Sequence, residues 1–432
     1  MHVFFSGIGG TGIGPLALIA HEAGFTVTGS DKQDSQYIHY LRSKGIDDIH
    51  IGQSRENIEN AHSLNPIDWF VYSSAVAIEN SSSPELNFCQ DQAIKTSKRD
   101  ELLNFIIQSN ELKLIAVAGT HGKSTTTSMV IWLLKELNVP ISYSVGAKIS
   151  FGDMGEYKSN SEYFVYEADE FDRNFLSFEP YLSLISGVSW DHHEIFPTRE
   201  DYQAAFNEFI SQSQHTILWE EDNAYLGFAP ASNITILESQ NENISSIKLA
   251  GQYNRLDAFL ALWAVHRLTK TPIDQLIDKI NKFPGLNRRM EQIIPGLYSD
   301  YAHTPEKIRG AMSTILELAA PGQHNVVVIY EPLTNRRQHY IIDEYKDCFD
   351  GASAIYWLPS YLAREDPAQP VITPEELIAH LSDPALAIPM QKDDELKRKI
   401  IDHLKDGDFV VGISGGGGGS LDEWLRQVFV TA

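Results

Sequence analysis

Apolar residues along this chain gather in short dense runs, separated by glycine-rich polar turns and by longer segments with helical spacing. The run Leu112-Lys113-Leu114-Ile115-Ala116-Val117-Ala118 is dense enough to be a strand buried on both faces of a parallel sheet. Shorter runs predict further strands at His2 to Phe5, Phe25 to Gly29, Trp69 to Tyr72, Tyr163 to Tyr166, Tyr181 to Val188, Val326 to Tyr330 and Phe409 to Ile413. Between them, periodic segments predict helices over Ile13 to Ala23, Asp100 to Gln108, Met129 to Leu137, Ala258 to Leu268, from Glu306, and over Leu421 to Phe429. Strand and helix thus alternate in three blocks, 1–108, 109–293 and 294–432, each expected to form an open α/β sheet. No repeat at solenoid period interrupts them.

The chemistry sits where strands end. After the Leu112 strand comes Gly119-Thr120-His121-Gly122-Lys123-Ser124-Thr125, and then the helix. Strand, glycine turn and helix make a phosphate cradle. Backbone N–H groups and the helix N-terminus converge on one point, Lys123 adds a cation, and the Ser124 hydroxyl can ligate Mg²⁺. The general P-loop pattern wants a glycine where Val117 stands. A second loop, Gly7-Ile8-Gly9-Gly10-Thr11-Gly12, follows the first strand and satisfies GxGxxG, and Asp31 ends the next strand where a ribose-binding acid belongs. Such a loop recognises a pyrophosphate, so it suits a dinucleotide or a UDP-sugar; glycines that only permit tight strand–helix packing are the plain alternative. Ser73 and Ser74 lie at the end of the Trp69 strand, where ligands bind in such sheets. The three blocks are therefore expected as a Rossmann-like N-terminal domain, a central P-loop ATPase-like domain and a Rossmann-like C-terminal domain.

Glu167-Ala168-Asp169-Glu170-Phe171-Asp172 puts four carboxylates at the exit of a buried strand. That is costly unless cations occupy them, and Mg²⁺ is the expected one. Ser189-Trp190-Asp191-His192-His193-Glu194 brings further candidate ligands to the end of the next strand, with His192 read as a ligand and His193 as a bystander. The third block carries an arginine-bearing turn at Gly285 to Glu291, the segment Tyr298 to Pro305, and Glu331-Pro332-Leu333-Thr334-Asn335-Arg336-Arg337. Gly415 to Gly419 reads as a permissive loop ahead of the last helix.

Composition narrows the classes. At 432 residues the chain expects two to four domains. A formal net charge of -24 argues against a sequence-independent nucleic-acid binder, which needs basic surface. Two cysteines, Cys89 and Cys348, make no disulfide framework or metal spacing. No apolar run is long enough to cross a bilayer, which points to a cytoplasmic protein without membrane insertion.

Together these motifs resemble the Mur ligase family of peptidoglycan precursor synthesis. Ala118 to Thr125 is similar to that family's own P-loop, which also lacks the distant glycine. Gly7 to Gly12, Gly29-Ser30-Asp31 and Ser73-Ser74-Ala75 resemble the UDP-sugar domain of the branch that uses UDP-N-acetylmuramate. The resemblance implies an ATP- and Mg²⁺-dependent ligase that phosphorylates the lactyl carboxylate of UDP-N-acetylmuramate and passes the acyl group to L-alanine, or in the recycling branch to the tripeptide L-Ala-γ-D-Glu-meso-diaminopimelate. By that resemblance Lys123 holds phosphates, Gly119, Thr120, His121, Gly122 and Thr125 frame them, and Ser124, Glu167 and His192 place Mg²⁺. Asn254 and Arg289 contact the nucleotide and the transferring phosphate, Asp300 and Tyr301 hold ribose and adenine beside His303, and Arg337 meets substrate. Gly9, Gly10, Thr11, Gly12, Asp31, Ser73 and Ser74 hold the UDP-sugar, and the third domain closes on the second. The L-alanine branch usually shows Glu-Ser-Asp where Glu170-Phe171-Asp172 stands, and a second histidine at Thr304, which leaves the acceptor open. A nicotinamide-dependent dehydrogenase using the first loop, and a regulatory binder of UDP-sugar and ATP, are the readings from other classes.

Overall fold

A computed structural model describes residues 1–72, 83–192, 195–228, 231–362, 365 and 369–430. The chain folds into three α/β sheets, two of them in a first compact unit (1–247 and 257–283) and one in a second (248–256 and 284–432).

The first sheet has five parallel strands in the order Ile49–Ile51, Thr26–Asp31, His2–Ser6, Trp69–Tyr72, Lys95–Lys98. Strand order reverses beside His2–Ser6, so the glycine loop leaves the sheet at its switch point, where such sheets take ligands. The helix after it, Gly14–Glu22, buries Leu16 to Ala20 against the sheet, with Pro15 fixing its first turn.

In the second sheet, Lys113–Ala118 lies between Tyr163–Glu167 and Leu182–Ile185, parallel to both. Buried neighbours on both faces explain its unbroken apolar run. The three strands deliver the phosphate loop, the acidic segment and the Ser186–His192 segment to one edge. Ile141–Ser144 and the short antiparallel Gly155–Glu156 extend one side, and Thr216–Trp219 with Ile234–Leu237 the other. The cradle helix starts at Lys123 and runs to Glu136, because Thr126, Thr127 and Ser128 pack inside as part of its first turns. One apolar core runs from Val3 and Phe5 through Leu102 and Ile106 to Phe164 and Phe206, so the first two sheets share it.

The third sheet runs Glu291–Ile294, Leu297–Asp300, Phe409–Ser414, Val326–Glu331, Ala354–Trp357, Ala387–Pro389. Its central strand sends Val326, Val328 and Tyr330 to one core and Val327 and Ile329 to another, the period of two expected of a strand covered on both faces. At the edge of this sheet Glu291–Ile294 pairs antiparallel with Leu297–Asp300 around Pro295-Gly296. The second unit takes in 248–256 and the chain from Pro284 onward. No described helix is long and apolar enough to cross a membrane.

Candidate active site

The phosphate loop has a shape only its glycines allow. Gly119 and Gly122 sit at φ +149° and +71°, and a Cβ on Gly122 would overlap Asp257 Oδ1. The loop is tied to the neighbouring strand end. Thr120 N–H donates to Gly187 O (2.7 Å), Ser189 N–H donates to Thr120 Oγ1 (2.9 Å), and His121 Nε2 bonds Ser189 Oγ (2.7 Å). That strand end is itself braced by Asp222, whose Oδ1 accepts the Val188 N–H at 2.8 Å and whose carboxyl burial pushes up to about 7.

Lys123 Nζ donates to Gly119 O (2.6 Å) and stands 2.8 Å from Glu170 Oε2. Burial disfavours its charge, yet the Glu170 carboxylate beside it raises its pKa overall. For Glu170, burial alone would raise the pKa; Lys123 and His192 overcome it and hold the carboxyl down at about 2. His192 Nε2 approaches Glu170 Oε1 at 3.6 Å. Non-glycine residues in the left-handed region cluster here: Asp172, Arg173 and His192 have φ of 54°, 56° and 55°. Each carries backbone strain of the kind concentrated at functional sites.

Three of the four carboxylates in the acidic segment are answered by the chain's own cations. Asp169 pairs with Arg99 (3.2 Å), Glu170 with Lys123, and Asp172 with Lys98. Mg²⁺ is therefore not needed to offset the whole cluster. Glu167 differs: its Oε1 accepts from Ser124 Oγ (2.8 Å) and its Oε2 from Gly146 N–H (2.7 Å). A hydroxyl and a carboxylate oxygen side by side suit a hard cation that keeps most of its shell as water and phosphate. Among the described residues no cluster of three His, Cys, Asp or Glu that could hold a metal ion occurs.

At the first loop, Ser30 O accepts the N–H of both Gly7 (2.8 Å) and Ile8 (3.0 Å), and Asp31 Oδ2 accepts that of Gly9 (2.8 Å). Asp31 thus holds the loop's own backbone. Gly10 N–H donates to Gly7 O (3.0 Å), so among the described residues the N–H groups of Thr11 and Gly12 are the loop's remaining donors. Beneath lies Glu85, fully buried, with Ser6 Oγ (2.6 Å) and Ser30 Oγ (2.5 Å) donating to its two oxygens. Burial raises its pKa against those two hydrogen bonds. Ser73, Ser74 and His193 lie outside the described residues.

A pocket of about 220 Å³ joins the two loops. Thr11, Gly12, Arg99, Lys123, Glu167 and Asp169 are among the residues that line it. Arg99, Glu170, Glu85 and Asp222 were not among the sequence candidates; Arg99 and Glu170 were visible there only as charges beside a helix start and within an acidic run.

The remaining candidates lie in the second unit. Asn254 Nδ2 donates to Ala250 O (2.8 Å). Arg289 stacks 5.2 Å over Tyr301, with Arg288 at 4.6 Å. Asp300 is buried and accepts the N–H groups of Met290 and Ala302, both at 2.8 Å. His303, enclosed near Lys307, Arg337 and Arg289, is held well below the usual histidine pKa, first by burial and then by those cations. In the glycine run, Gly419 N–H donates to Glu423 Oε2 (2.7 Å) and Leu421 N–H to Glu331 Oε2 (2.8 Å), so in-chain carboxylates already use these donors.

Known proteins match this arrangement. The family model described as Mur ligase family, catalytic domain matches residues 2–110, and that of the Mur ligase middle domain residues 117–259. A UDP-N-acetylmuramate–L-alanine ligase of Campylobacter curvus is 30% identical over 85% of this chain and 86% of its own. The enzyme of that name from Clostridium botulinum strain Langeland is 28% identical over 96% and 95%. A crystal structure of UDP-N-acetylmuramate–alanine ligase from Thermotoga maritima, 21% identical, superposes with a TM-score of 0.75, covering 100% of this chain and 99% of that one. The chain belongs to the Mur ligase family.

Proposed function

We propose that this chain is an ATP-dependent ligase that joins L-alanine to the lactyl carboxylate of UDP-N-acetylmuramate, a step of peptidoglycan precursor synthesis in the cytoplasm. The observation that carries the reading is the pocket that brings the pyrophosphate-type loop (Thr11, Gly12) within one cavity of the phosphate-loop Lys123 and of Glu167. A nicotinamide enzyme has no use for the second cradle, and the names of the full-length relatives agree with a ligase.

An amide cannot form from a free carboxylate without activation. A lactyl carboxylate oxygen attacks the γ-phosphorus of ATP, the bond to the bridging oxygen breaks, and ADP leaves. The L-alanine amine then attacks the acyl carbonyl, phosphate leaves with the C–O bond electrons, and the amine gives up its proton. No nucleophilic side chain takes part, so positioning and electrostatics carry the rate. Lys123 turns from Glu170 toward the phosphoryl oxygens. Glu170, with its low pKa, stays charged and keeps Lys123 protonated. The Ser124–Glu167 pair would hold Mg²⁺, with His192 beside it; bound there, Mg²⁺ would offset charge on the transferring phosphoryl group. In the second unit Arg289 and Asn254 would meet the nucleotide, Asp300 and Tyr301 its ribose and adenine, and Arg337 the acceptor. The three sheets would act as three domains with boundaries near 108 and 293, the third closing to exclude water from the acyl phosphate.

Toward the recycled tripeptide as acceptor lean Glu331-Pro332 with Asn335, the Asp191 to Phe196 segment and the Gly415 to Gly419 run, while Glu170-Phe171-Asp172 and Thr304 depart from the L-alanine pattern. Asn335, which points the same way in sequence, is buried and engages its amide with Pro370 O and Ile372 N–H, so it is not available to an acceptor. The test is ATP-dependent phosphate release with UDP-N-acetylmuramate and Mg²⁺, comparing L-alanine, L-serine, glycine and the tripeptide. L-Alanine is expected to give the highest kcat/KM; preference for the tripeptide overturns the acceptor, and silence with all four overturns the ligase.

A further inference from the structure

The third glycine of a GxGxxG loop commonly serves close helix–strand packing. Here Gly12 serves something else. A Cβ at Gly12 would stand 2.5 Å from Nη1 of Arg99, and apart from its chain neighbours no other described residue lies within 4 Å of it. Arg99 opens the helix Arg99–Ser109, at the end of the last strand of the first sheet. The glycine therefore makes room for a guanidinium that lines the pocket together with Thr11, Lys123 and Glu167.

Two carboxylates hold that guanidinium, and they differ. Asp100 is 3% exposed, stands 3.5 Å from Nε, and accepts the Tyr166 hydroxyl at 3.0 Å. It anchors the inner end of the fork. Asp169 stands 3.2 Å from Nη2 and is 37% exposed, with its other oxygen accepting the Phe171 N–H at 3.1 Å. Asp169, the more open partner, is the one that solvent and an incoming anion can reach. The outer edge of the fork is thus held by a replaceable partner, at the mouth of a pocket two residues past Glu167.

We propose that Arg99 is a substrate-binding residue whose guanidinium exchanges Asp169 for the lactyl carboxylate of the UDP-sugar, presenting it to the phosphate loop. This rests on the reading of the first loop as a UDP-sugar site. A planar fork matches a carboxylate with two parallel hydrogen bonds, which a lysine cannot do. The diphosphate is served separately, by the N–H groups of Thr11 and Gly12. Asp169 keeps the fork extended while the pocket is empty and is released as the carboxylate arrives.

The test is equilibrium dialysis of UDP-N-acetylmuramate and of UDP-N-acetylglucosamine, which lacks the lactyl carboxylate, against the full chain without ATP or Mg²⁺. Arg99→Ala is expected to weaken UDP-N-acetylmuramate about tenfold or more, as loss of a charge-assisted fork should, and UDP-N-acetylglucosamine less than about threefold. Arg99→Lys should fall between wild type and Arg99→Ala. Asp169→Asn removes the competitor while keeping the oxygen that accepts Phe171 N–H, and is expected to tighten UDP-N-acetylmuramate. Equal weakening of both sugars by Arg99→Ala would assign the fork to the diphosphate and overturn the proposal; weaker binding in Asp169→Asn would make the pair a brace and overturn it equally. Should Arg99→Ala not fold, Asp169→Asn and Arg99→Lys decide alone. If wild type binds neither sugar, the UDP-sugar reading itself falls; if it binds both and the variants behave like wild type, only the role of Arg99 falls.

Discussion

Each of the two glycine loops in the first unit has a buried glutamate beneath it, and the two glutamates live in opposite electrostatic conditions. Under Gly119–Ser124, Glu170 has Lys123 at 2.8 Å and His192 at 3.6 Å, and its pKa is held at about 2. Under Gly7–Gly12, Glu85 has two serine hydroxyls and, among the described residues, no cation paired with it, and burial pushes its pKa up. A loop that must steady a phosphoryl group as its charge shifts keeps a mobile cation in reserve, its burial already offset by a partner. A loop that only grips a pyrophosphate needs fixed backbone donors and a stiff floor, and neutral hydrogen bonds supply the floor.

The largest expected effect comes from removing the cation. Lys123→Ala should abolish phosphate release, by at least about a thousandfold. It also leaves Glu170 as a buried, uncompensated carboxylate, a loss of about 3–5 kcal/mol in stability. The double variant Lys123→Ala/Glu170→Gln should regain most of the urea midpoint and none of the activity; a Lys123→Ala chain as stable as wild type would deny the pairing.

Next come the glycines. Gly122→Ala meets Asp257 from a backbone at φ +71°, whereas Gly12→Ala meets, among the described residues, only the movable end of Arg99. The first should cost nucleotide turnover more than about tenfold, since both the strained backbone and the overlap distort the phosphate loop. The second should leave ATP affinity alone and raise the KM for UDP-N-acetylmuramate. A reversed pattern in steady-state kinetics would erase the distinction between the loops.

The smallest effect is in pH dependence, and its sign differs between the glutamates. Glu170, lowered, contributes stability that is present above the unfolded value of about 4.5 and lost as pH falls from there toward about 2. Glu85, raised, contributes stability present below that unfolded value and lost as pH rises through its folded pKa. Urea midpoints measured from pH 3 to 8 should show Glu170→Gln flattening the acid limb and Glu85→Gln flattening the decline on the other side. Identical profiles would mean that neither pairing is as the structure has it.

The sequence disclosed whatever is local. Buried parallel strands announce themselves as unbroken apolar runs, so Lys113–Ala118, Trp69–Tyr72 and Val326–Glu331 were legible to within a residue or two. Loop glycines and the lysine between them follow from short-range geometry. Elements with polar faces were harder: apolar spacing marks the cradle helix only from Met129, whereas its first turns, with Thr126, Thr127 and Ser128 packed inside, begin at Lys123. Pro295-Gly296 turns the hairpin of Glu291–Ile294 and Leu297–Asp300, and a hairpin turn and a domain break use the same residues. Non-local pairing was illegible. Nothing in Glu167 to Asp172 says that three of its carboxylates meet Arg99, Lys123 and Lys98, and Ser6, Ser30 and Glu85 are 79 residues apart at their widest.

The central claim is that one pocket brings the lactyl carboxylate to the phosphate loop. Its most direct test is ligation run with UDP-N-acetylmuramate carrying ¹⁸O in that carboxylate, followed by mass spectrometry of the released phosphate. One ¹⁸O in the phosphate is the predicted result, because the carboxylate oxygen attacks phosphorus and departs with it. Phosphate free of label, formed alongside the amide product, would contradict the acyl-phosphate route.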